Sequence, residues 1–231
     1  MISKLLKKAG FYKLVKKPGF IDRIKTESCQ FKTIFDVGAY HGKFIDEMLL
    51  CNPRLTVHSF EPYNISFQFL VNKFKKQQNV LVNNYAVSDK AGQANFNINA
   101  FAETNSLLES ASVNETINSL TKKESDQIVQ VISLGDYCLQ NSIIEIDLIK
   151  IDTQGNSFNV LTGLAALLKE KKIKYLYVEA EFIEIYKNEK LFSEIESLMR
   201  SFDYGIVDLY NLNYLNNDRL AWCDVLFTPN K

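Results

Sequence analysis

The feature that most constrains this chain is a regular alternation of short apolar runs with segments of helical periodicity. Three runs rich in apolar and β-branched residues are Thr33–Val37, Leu55–Phe60 and Val80–Val87. Between them, one segment after Gly42 and another over Asn64–Lys76 carry apolar residues every three or four positions. A β-α-β-α-β order needs crossover helices, so it predicts an α/β fold with a parallel sheet covered by helices.

The alternation resumes in the second half of the chain. The predicted elements there are a strand over Ile146–Ile151, a helix over Phe158–Lys169, a strand over Ile173–Val178 and a helix over Leu191–Phe202. Two last strands, Tyr204–Leu209 and Cys223–Phe227, follow. The Asn-rich loop between them shows no crossover helix, so we expect them to pair antiparallel.

The length of 231 residues fits one large domain with an appendage. Residues 88–127 are rich in Asn, Ser and Thr, and we expect an insertion there that could build an acceptor pocket; Val129–Ser133 is predicted to be a short strand. We therefore divide the chain into a basic, helical N-terminal extension (1–30) and a main domain (31–231) with an insertion near 88–127.

Charge limits the class of partner. The chain has 27 basic and 27 acidic residues, and this neutral balance argues against nucleic acid as a partner. Residues 1–25, however, hold eight basic residues and one acid. They are either a solvated helix on the body or an arm that contacts anionic lipid or another polyanion.

Targeting signals and metal spacings are both missing from the sequence. No apolar stretch is long enough to cross a membrane, and no secretory signal precedes the domain, so we expect a cytoplasmic protein. The alternative is a cytoplasmic protein held at the inner face of the membrane by residues 1–25. The four cysteines do not have the spacing of a zinc site, and we expect no metal.

The strongest local signal is the segment Asp36–Gly42 at a strand-to-helix junction. Gly38 permits a tight turn and a close backbone approach to a ligand, and Gly42 opens a helix whose free N–H groups attract polar ligand atoms. A dinucleotide fingerprint would need glycine where Tyr40 and Lys43 stand. The segment is therefore typical of a nucleotide-type loop, but not of a pyrophosphate loop.

Glu61 follows the second strand, about 20 residues after the loop. A carboxylate at this place can accept hydrogen bonds from both hydroxyls of a ribose. An acid at a helix start beside Pro62 is the structural alternative. Together with the loop, Glu61 predicts an adenosine-type ligand.

Candidate proton acceptors follow later strands or lie on the loop itself. Asp152 ends an apolar strand at the edge that faces the ligand crevice, with Lys150 on the same side as a possible ion-pair partner. Glu179 and Glu181 share one face of the next strand and indicate either a polar acceptor pocket, a cation site or two solvated acids. His41 on the loop is a third kind of candidate base.

Five short motifs together resemble the FkbM-type methyltransferases, from about Thr33 to Phe227. They are D-V-G-A-x-x-G from Asp36, F-E-P from Phe60, A-V-S-D from Ala86, K-I-D-x-x-G from Lys150 and D-x-L-F from Asp224. The resemblance implies a Rossmann-like class I methyltransferase fold: a mostly parallel seven-stranded sheet with helices on both faces and an antiparallel last strand.

The resemblance also implies S-adenosyl-L-methionine as cofactor and a role for each matching residue. The methionine-side loop would be Asp36, Gly38, Ala39 and Gly42; the ribose acid Glu61; the adenine wall Ala86 and Val87; and the acid beside the methyl group Asp152. Asp152, His41 and Glu181 remain the candidate catalytic residues.

The implied acceptor is a hydroxyl of a sugar, a polysaccharide or a related natural product. The chain departs from the family pattern at Gln154, where many relatives have Glu, at Ser157, where many have a second acid, and at Tyr40, where Asn is frequent. Two alternatives stay open: a non-catalytic cofactor-binding module, and a methyltransferase that acts on a non-carbohydrate acceptor.

Overall fold

The computed structural model describes residues 18–216 and 218–230. In chain order its elements are α1 (Phe20–Ser28), β1 (Thr33–Val37), α2 (Lys43–Cys51), β2 (Thr56–Phe60), α3 (Asn64–Phe74), β3 (Val80–Asn83), β4 (Ala86–Val87), β5 (Gly92–Asn99), a 3-10 turn (Ala102–Thr104), α4 (Glu115–Leu120), β6 (Lys123–Ile132), α5 (Leu134–Gln140), β7 (Ile146–Ile151), α6 (Ser157–Thr162), α7 (Ala165–Lys169), β8 (Ile173–Glu181), α8 (Phe192–Ser201), β9 (Tyr204–Tyr214) and β10 (Leu220–Pro229).

A seven-stranded sheet with the order β3-β2-β1-β7-β8-β10-β9 forms the centre of the fold. Strands β1, β2, β3, β7 and β8 run parallel, whereas β10 is antiparallel to both of its neighbours. The predicted α/β fold class, with its mostly parallel sheet and its antiparallel last strand, is confirmed.

Both faces of this sheet are buried, which explains why its central strands are nearly continuous apolar runs. In β1, Phe35 packs into one apolar cluster and Ile34 into the other. The first cluster is covered by α5 to α8, and the second by α1 to α3. Helices thus lie on both faces, and the loops at the strand ends remain free to form a site.

The segment that follows α3 differs from its prediction. The run Val80–Val87 is not one strand, because the side chains of Asn83 and Asn84 turn the chain by donating to the backbone oxygens of Ser59 (3.0 Å) and Glu61 (2.9 Å). Its second part, β4, joins a separate three-stranded sheet of order β4-β6-β5. Strand β6 there is much longer than the predicted Val129–Ser133.

The predicted helix over Phe158–Lys169 is also interrupted. It forms two short helices, α6 and α7, that are separated at Gly163. The carbonyl of Gly163 accepts a hydrogen bond from the backbone N–H of Gly135 at 3.1 Å, and a Cβ on Gly163 would lie 2.7 Å from the carbonyl oxygen of Ser88. The close approach of two other backbones therefore breaks the helix, and the local pattern carries no sign of it.

Helix α1 packs tightly against the sheet. The Phe20 ring stacks on Tyr177 with centroids 3.8 Å apart, and Ile24 is buried in the same cluster.

Among the described residues, no helix is long and apolar enough to cross a membrane. The basic residues Lys4, Lys7, Lys8, Lys13, Lys16 and Lys17 lie outside the described residues.

Candidate active site

A cavity of about 790 Å³ opens at the carboxyl ends of β1, β2, β7 and β8. The loop after β1, the end of β2 and strand β4 line one side of it, and β7, β8 and β10 line the other. The insertion between β4 and β6 contributes Phe101–Asn105, and the start of α1 contributes Gly19–Asp22. This volume lies within the roughly 300–1,000 Å³ that small-molecule sites occupy.

The loop after β1 is shaped by residues with positive φ. Gly38 has a φ of +80° and Gly42 of +69°, and Tyr40 adopts +46° between them. The backbone N–H groups of Gly38 and Ala39 donate to the carbonyl of Phe60 at 3.0 and 3.2 Å. These bonds tie the loop to the end of β2 and fix the position of its backbone beside the cavity.

Glu61 is a buried carboxylate in the cavity wall. Its Oε2 accepts from the backbone N–H of Tyr40 at 2.7 Å, and its Oε1 accepts from that of Tyr63 at 2.9 Å. Burial raises the pKa of Glu61 to about 7. Because each carboxylate oxygen has two acceptor sites, the group can still accept two hydrogen bonds from a ligand.

Five of the seven predicted cofactor-binding residues line this cavity: Gly38, Ala39, Glu61, Ala86 and Val87. The other two support it from behind. Asp36 is fully buried beside Lys150, and burial raises its pKa to about 6. Gly42 is covered by Leu70 and Phe74, whose side chains a Cβ there would meet at 2.8 and 2.7 Å.

Lys150 connects the loop with the end of β7. Its Nζ lies 3.2 Å from Asp152 Oδ2 and 3.5 Å from Asp36 Oδ1, and it donates to the carbonyl of Gly38 at 3.2 Å. Burial opposes ionisation of Asp152, but the Lys150 ammonium and a hydrogen bond from Gln154 hold its pKa below the usual value. Asp152 is therefore a carboxylate, and it lines the cavity.

Gln154 holds two carboxylates in place, a role that its sequence position did not reveal. Its Nε2 donates to Asp152 Oδ1 at 2.8 Å and to Glu179 Oε2 at 2.7 Å, while its Oε1 lies 2.9 Å from the Tyr186 hydroxyl. The backbone of Gln154 has a φ of +51°. An amide suits this position because its NH₂ group can serve two acceptors at once.

Strands β8 and β10 place further acidic side chains in the same cavity as Asp152. Glu179 pairs with Asp224 and Glu181 with Trp222 across the antiparallel ladder, and all four side chains line the cavity. Asp224 accepts from Tyr177 Oη at 2.9 Å and from Asn211 Nδ2 at 2.6 Å. In the sequence, Asp224 stands out only as the first residue of the motif D-x-L-F. The residues that it contacts are set by the pairing of β10 with its neighbouring strands, which the sequence does not reveal.

His41 lies at the exposed rim of the same cavity, away from this hydrogen-bond network. Its ring stacks on Tyr40 at 3.8 Å and lies 4.5 Å from the Phe69 ring. The structure therefore brings all three candidate catalytic residues to one cavity. Only Asp152, directly after β7, and Glu181, the last residue of β8, belong to its acidic side. Within the described part of the chain, no cluster of three or more His, Cys, Asp or Glu side chains could hold a metal ion.

Comparison with known proteins agrees with this arrangement. A model of the methyltransferase FkbM domain matches residues 36–206. The chain is 25% identical over 195 residues to the 31-O-demethyl-FK506 methyltransferase FkbM of Streptomyces tacrolimicus, covering 75% of this chain and 73% of the relative. The solved structure of StiE O-MT residues 961–1257 superposes with a TM-score of 0.51 at 8% identity, over 91% of this chain and 73% of that one.

The fold and the family match together define an S-adenosylmethionine-dependent methyltransferase. More narrowly, the chain belongs to the FkbM methyltransferase family, as its motifs predicted. The expected cofactor, S-adenosylmethionine, is confirmed at the level of the family.

Proposed function

We propose that the protein methylates a hydroxyl oxygen of a sugar, a polysaccharide or a related natural product. The observation that carries the proposal is the position of Asp152: a side chain paired with Lys150, about a third exposed, in the same cavity as the loop at Gly38 and the buried Glu61. The Streptomyces relative, by its name, acts on the 31-O-demethyl form of FK506.

The residues present fit the cofactor. Glu61 offers a fixed, buried acceptor for ribose hydroxyls, the small side chains of Ala86 and Val87 offer an apolar wall for an adenine ring, and Gly38 exposes backbone to the methionine end. When bound, S-adenosylmethionine supplies an activated methyl group. The chain itself must then orient the acceptor hydroxyl and receive its proton.

Asp152 is the best-placed proton acceptor. Its Oδ1 and Oδ2 are held by Gln154 and Lys150, so the carboxylate needs little reorganisation when a hydroxyl binds. A carboxylate of low pKa suffices, because a hydroxyl becomes a far stronger acid as its oxygen gains positive charge. Orientation contributes further, in favourable cases up to about 7–11 kcal/mol of the barrier.

The test is transfer of a deuterated methyl group from labelled cofactor to a panel of saccharides and nucleotide sugars. We expect label on a hydroxyl oxygen of at least one acceptor, identified by NMR and mass spectrometry. A permethylated form of the same acceptor is the matched control and should take up no label. Label on nitrogen or carbon, or cofactor binding without any turnover, would contradict the proposal; the second result would favour a non-catalytic cofactor-binding module.

A further inference from the structure

The cavity carries an excess of acidic groups that the cofactor and the proposed reaction do not account for. Its described lining includes eight carboxyl side chains and two lysines. The acids are Asp22, Glu47, Glu61, Glu103, Asp152, Glu179, Glu181 and Asp224, and the lysines are Lys43 and Lys150. Lys150 is already paired with Asp36 and Asp152. Among the described residues, Glu179, Glu181 and Asp224 form no ion pair, and Lys150 acts only on Asp224 of these three, from a greater distance.

Glu181 is the clearest sign that a ligand belongs there. Its side chain lines the cavity, yet the residue is only 2% exposed, and its Oε2 has no hydrogen-bond partner. A buried polar atom without a partner is costly, and a carboxylate is more costly than a neutral group. A ligand that donates hydrogen bonds and carries positive charge would remove this cost.

The surroundings of Glu181 favour a compact organic cation. Glu179 lies two residues earlier on the same face of β8, with Asp224 opposite it and Trp222 opposite Glu181. Burial raises the pKa of Glu179 and of Glu181, and neighbouring carboxylates raise both further. An ammonium group has three donors for such carboxylates, and an aromatic ring beside it adds a cation–π contact.

We propose that Glu179, Glu181, Asp224 and Trp222 form an ammonium subsite, and that the acceptor is an amino sugar with a free amine. The inference rests on the proposed function, because it describes the acceptor of that same hydroxyl methylation. The amine is a binding handle: it stays protonated in the subsite while a neighbouring hydroxyl faces Asp152.

The subsite is tested with three β-1,4-linked disaccharides that differ only in the group at C2 of each sugar. That group is a free amine in the first (the diamine), an acetylated amine in the second (the N-acetylated form) and a hydroxyl in the third (the diol). Trp222 is the single tryptophan of the chain, so its fluorescence reports binding at this wall directly. With saturating S-adenosylhomocysteine, we expect the diamine to bind about tenfold or more tighter than both others, as charge-assisted hydrogen bonds imply. Equal binding of the diamine and the diol, or no binding of either, would overturn the proposal.

Glu181→Gln and Glu179→Gln keep the side-chain size and should each lower the preference for the diamine by about tenfold. Glu47→Gln removes a carboxylate from the α2 wall of the same cavity and should keep the full preference. The comparison of the three disaccharides on the unmodified protein needs no variant, so it decides the proposal even if a variant folds poorly.

The two proposals fail in different ways. Methyl transfer to saccharide hydroxyls without any preference for an amine would overturn the ammonium subsite and leave the proposed function standing. Tighter binding of the diamine without methyl transfer to any hydroxyl would support the subsite and overturn the proposed function, whereas methylation at its nitrogen would contradict both proposals.

Discussion

Gly38 and Asp152 are in backbone contact: a Cβ built on Gly38 would lie 1.8 Å from the carbonyl oxygen of Asp152. Next to this contact, the N–H of Asp152 donates to the carbonyl of Val37 at 3.0 Å. The end of β1 and the end of β7 are thus joined beyond the sheet itself. As a result, the backbone of the loop proposed to bind the cofactor and the backbone of Asp152 have a fixed spacing.

Gly38→Ala should disrupt this contact. The added methyl group meets backbone, which cannot rotate away, and a φ of +80° costs a non-glycine residue about 1–2 kcal/mol before the clash is counted. We expect the melting temperature to fall by roughly 4–8 °C or more and cofactor binding to be lost. Gly92→Ala is the control, because a Cβ there meets nothing within 4 Å. Equal melting temperatures for the two variants would contradict the role of the contact.

Glu61→Ala should weaken binding of S-adenosylhomocysteine by roughly 2–4 kcal/mol in calorimetry, since each hydrogen bond to a charged group contributes about 1.5–3 kcal/mol. Burial raises the pKa of Glu61 to about 7, and ribose hydroxyls need the ionised form as acceptor. Affinity should therefore be constant at high pH and fall below pH 7, by up to about tenfold per pH unit.

Two comparisons check the assignment of Glu61. Glu47→Ala removes another carboxylate from the cavity wall and should leave affinity nearly unchanged. Glu61→Ala itself should lose the pH dependence. If the unmodified protein binds S-adenosylhomocysteine equally well at pH 6 and pH 8, Glu61 is not the ribose acceptor.

Gln154→Glu should shift the acid limb of the pH–rate profile for methyl transfer to higher pH. The new carboxylate would lie between Asp152 and Glu179, where the amide now donates to both. A like charge raises the pKa of its neighbours, so Asp152 would stay protonated to a higher pH. On the acid side of the profile we expect slower transfer, by up to about tenfold per unit of pKa rise, which is regained as the pH increases. Gln130→Glu, at an exposed position of β6, should leave the profile unchanged. An unshifted profile in Gln154→Glu would contradict the bridging role.

Two truncations distinguish the role of the basic N-terminal segment from that of helix α1. A chain beginning at residue 18 should melt like the full chain and bind cofactor equally well, but should sediment less with anionic vesicles. A chain beginning at Phe31 also loses the buried Phe20 and Ile24, at about 1.5–3 kcal/mol each, and should be clearly less stable. Unchanged vesicle binding by the shorter truncation would contradict a membrane or polyanion role for the basic residues.

The sequence predicted strand limits best in the centre of the sheet, where burial on both faces requires apolar residues. The limits of β1 and β7 agree with their apolar runs, and Gly38, Glu61 and Asp152 follow strand ends as predicted. The carboxyl ends of parallel strands meet at one edge, so these three residues could be grouped without a structure.

Contacts that depend on distant backbone were not predictable. The bridge made by Gln154 needs Glu179, which lies 25 positions along the chain. The pairing of Glu179 with Asp224 also needs the register of β10 against β8. The contribution of Phe20 to the core likewise depends on Tyr177. No local periodicity encodes such relationships.

Asp152→Asn gives the most direct test of the central claim that this carboxylate serves the acceptor hydroxyl. The variant keeps the size of the side chain and its contact with Gln154, but it removes the negative charge. Single-turnover methyl transfer and S-adenosylhomocysteine affinity should be measured together, with Asp126→Asn on the exposed part of β6 as the control. We expect about a hundredfold slower transfer with nearly unchanged cofactor affinity. Transfer at the unmodified rate would contradict the claim, as would a loss confined to cofactor affinity.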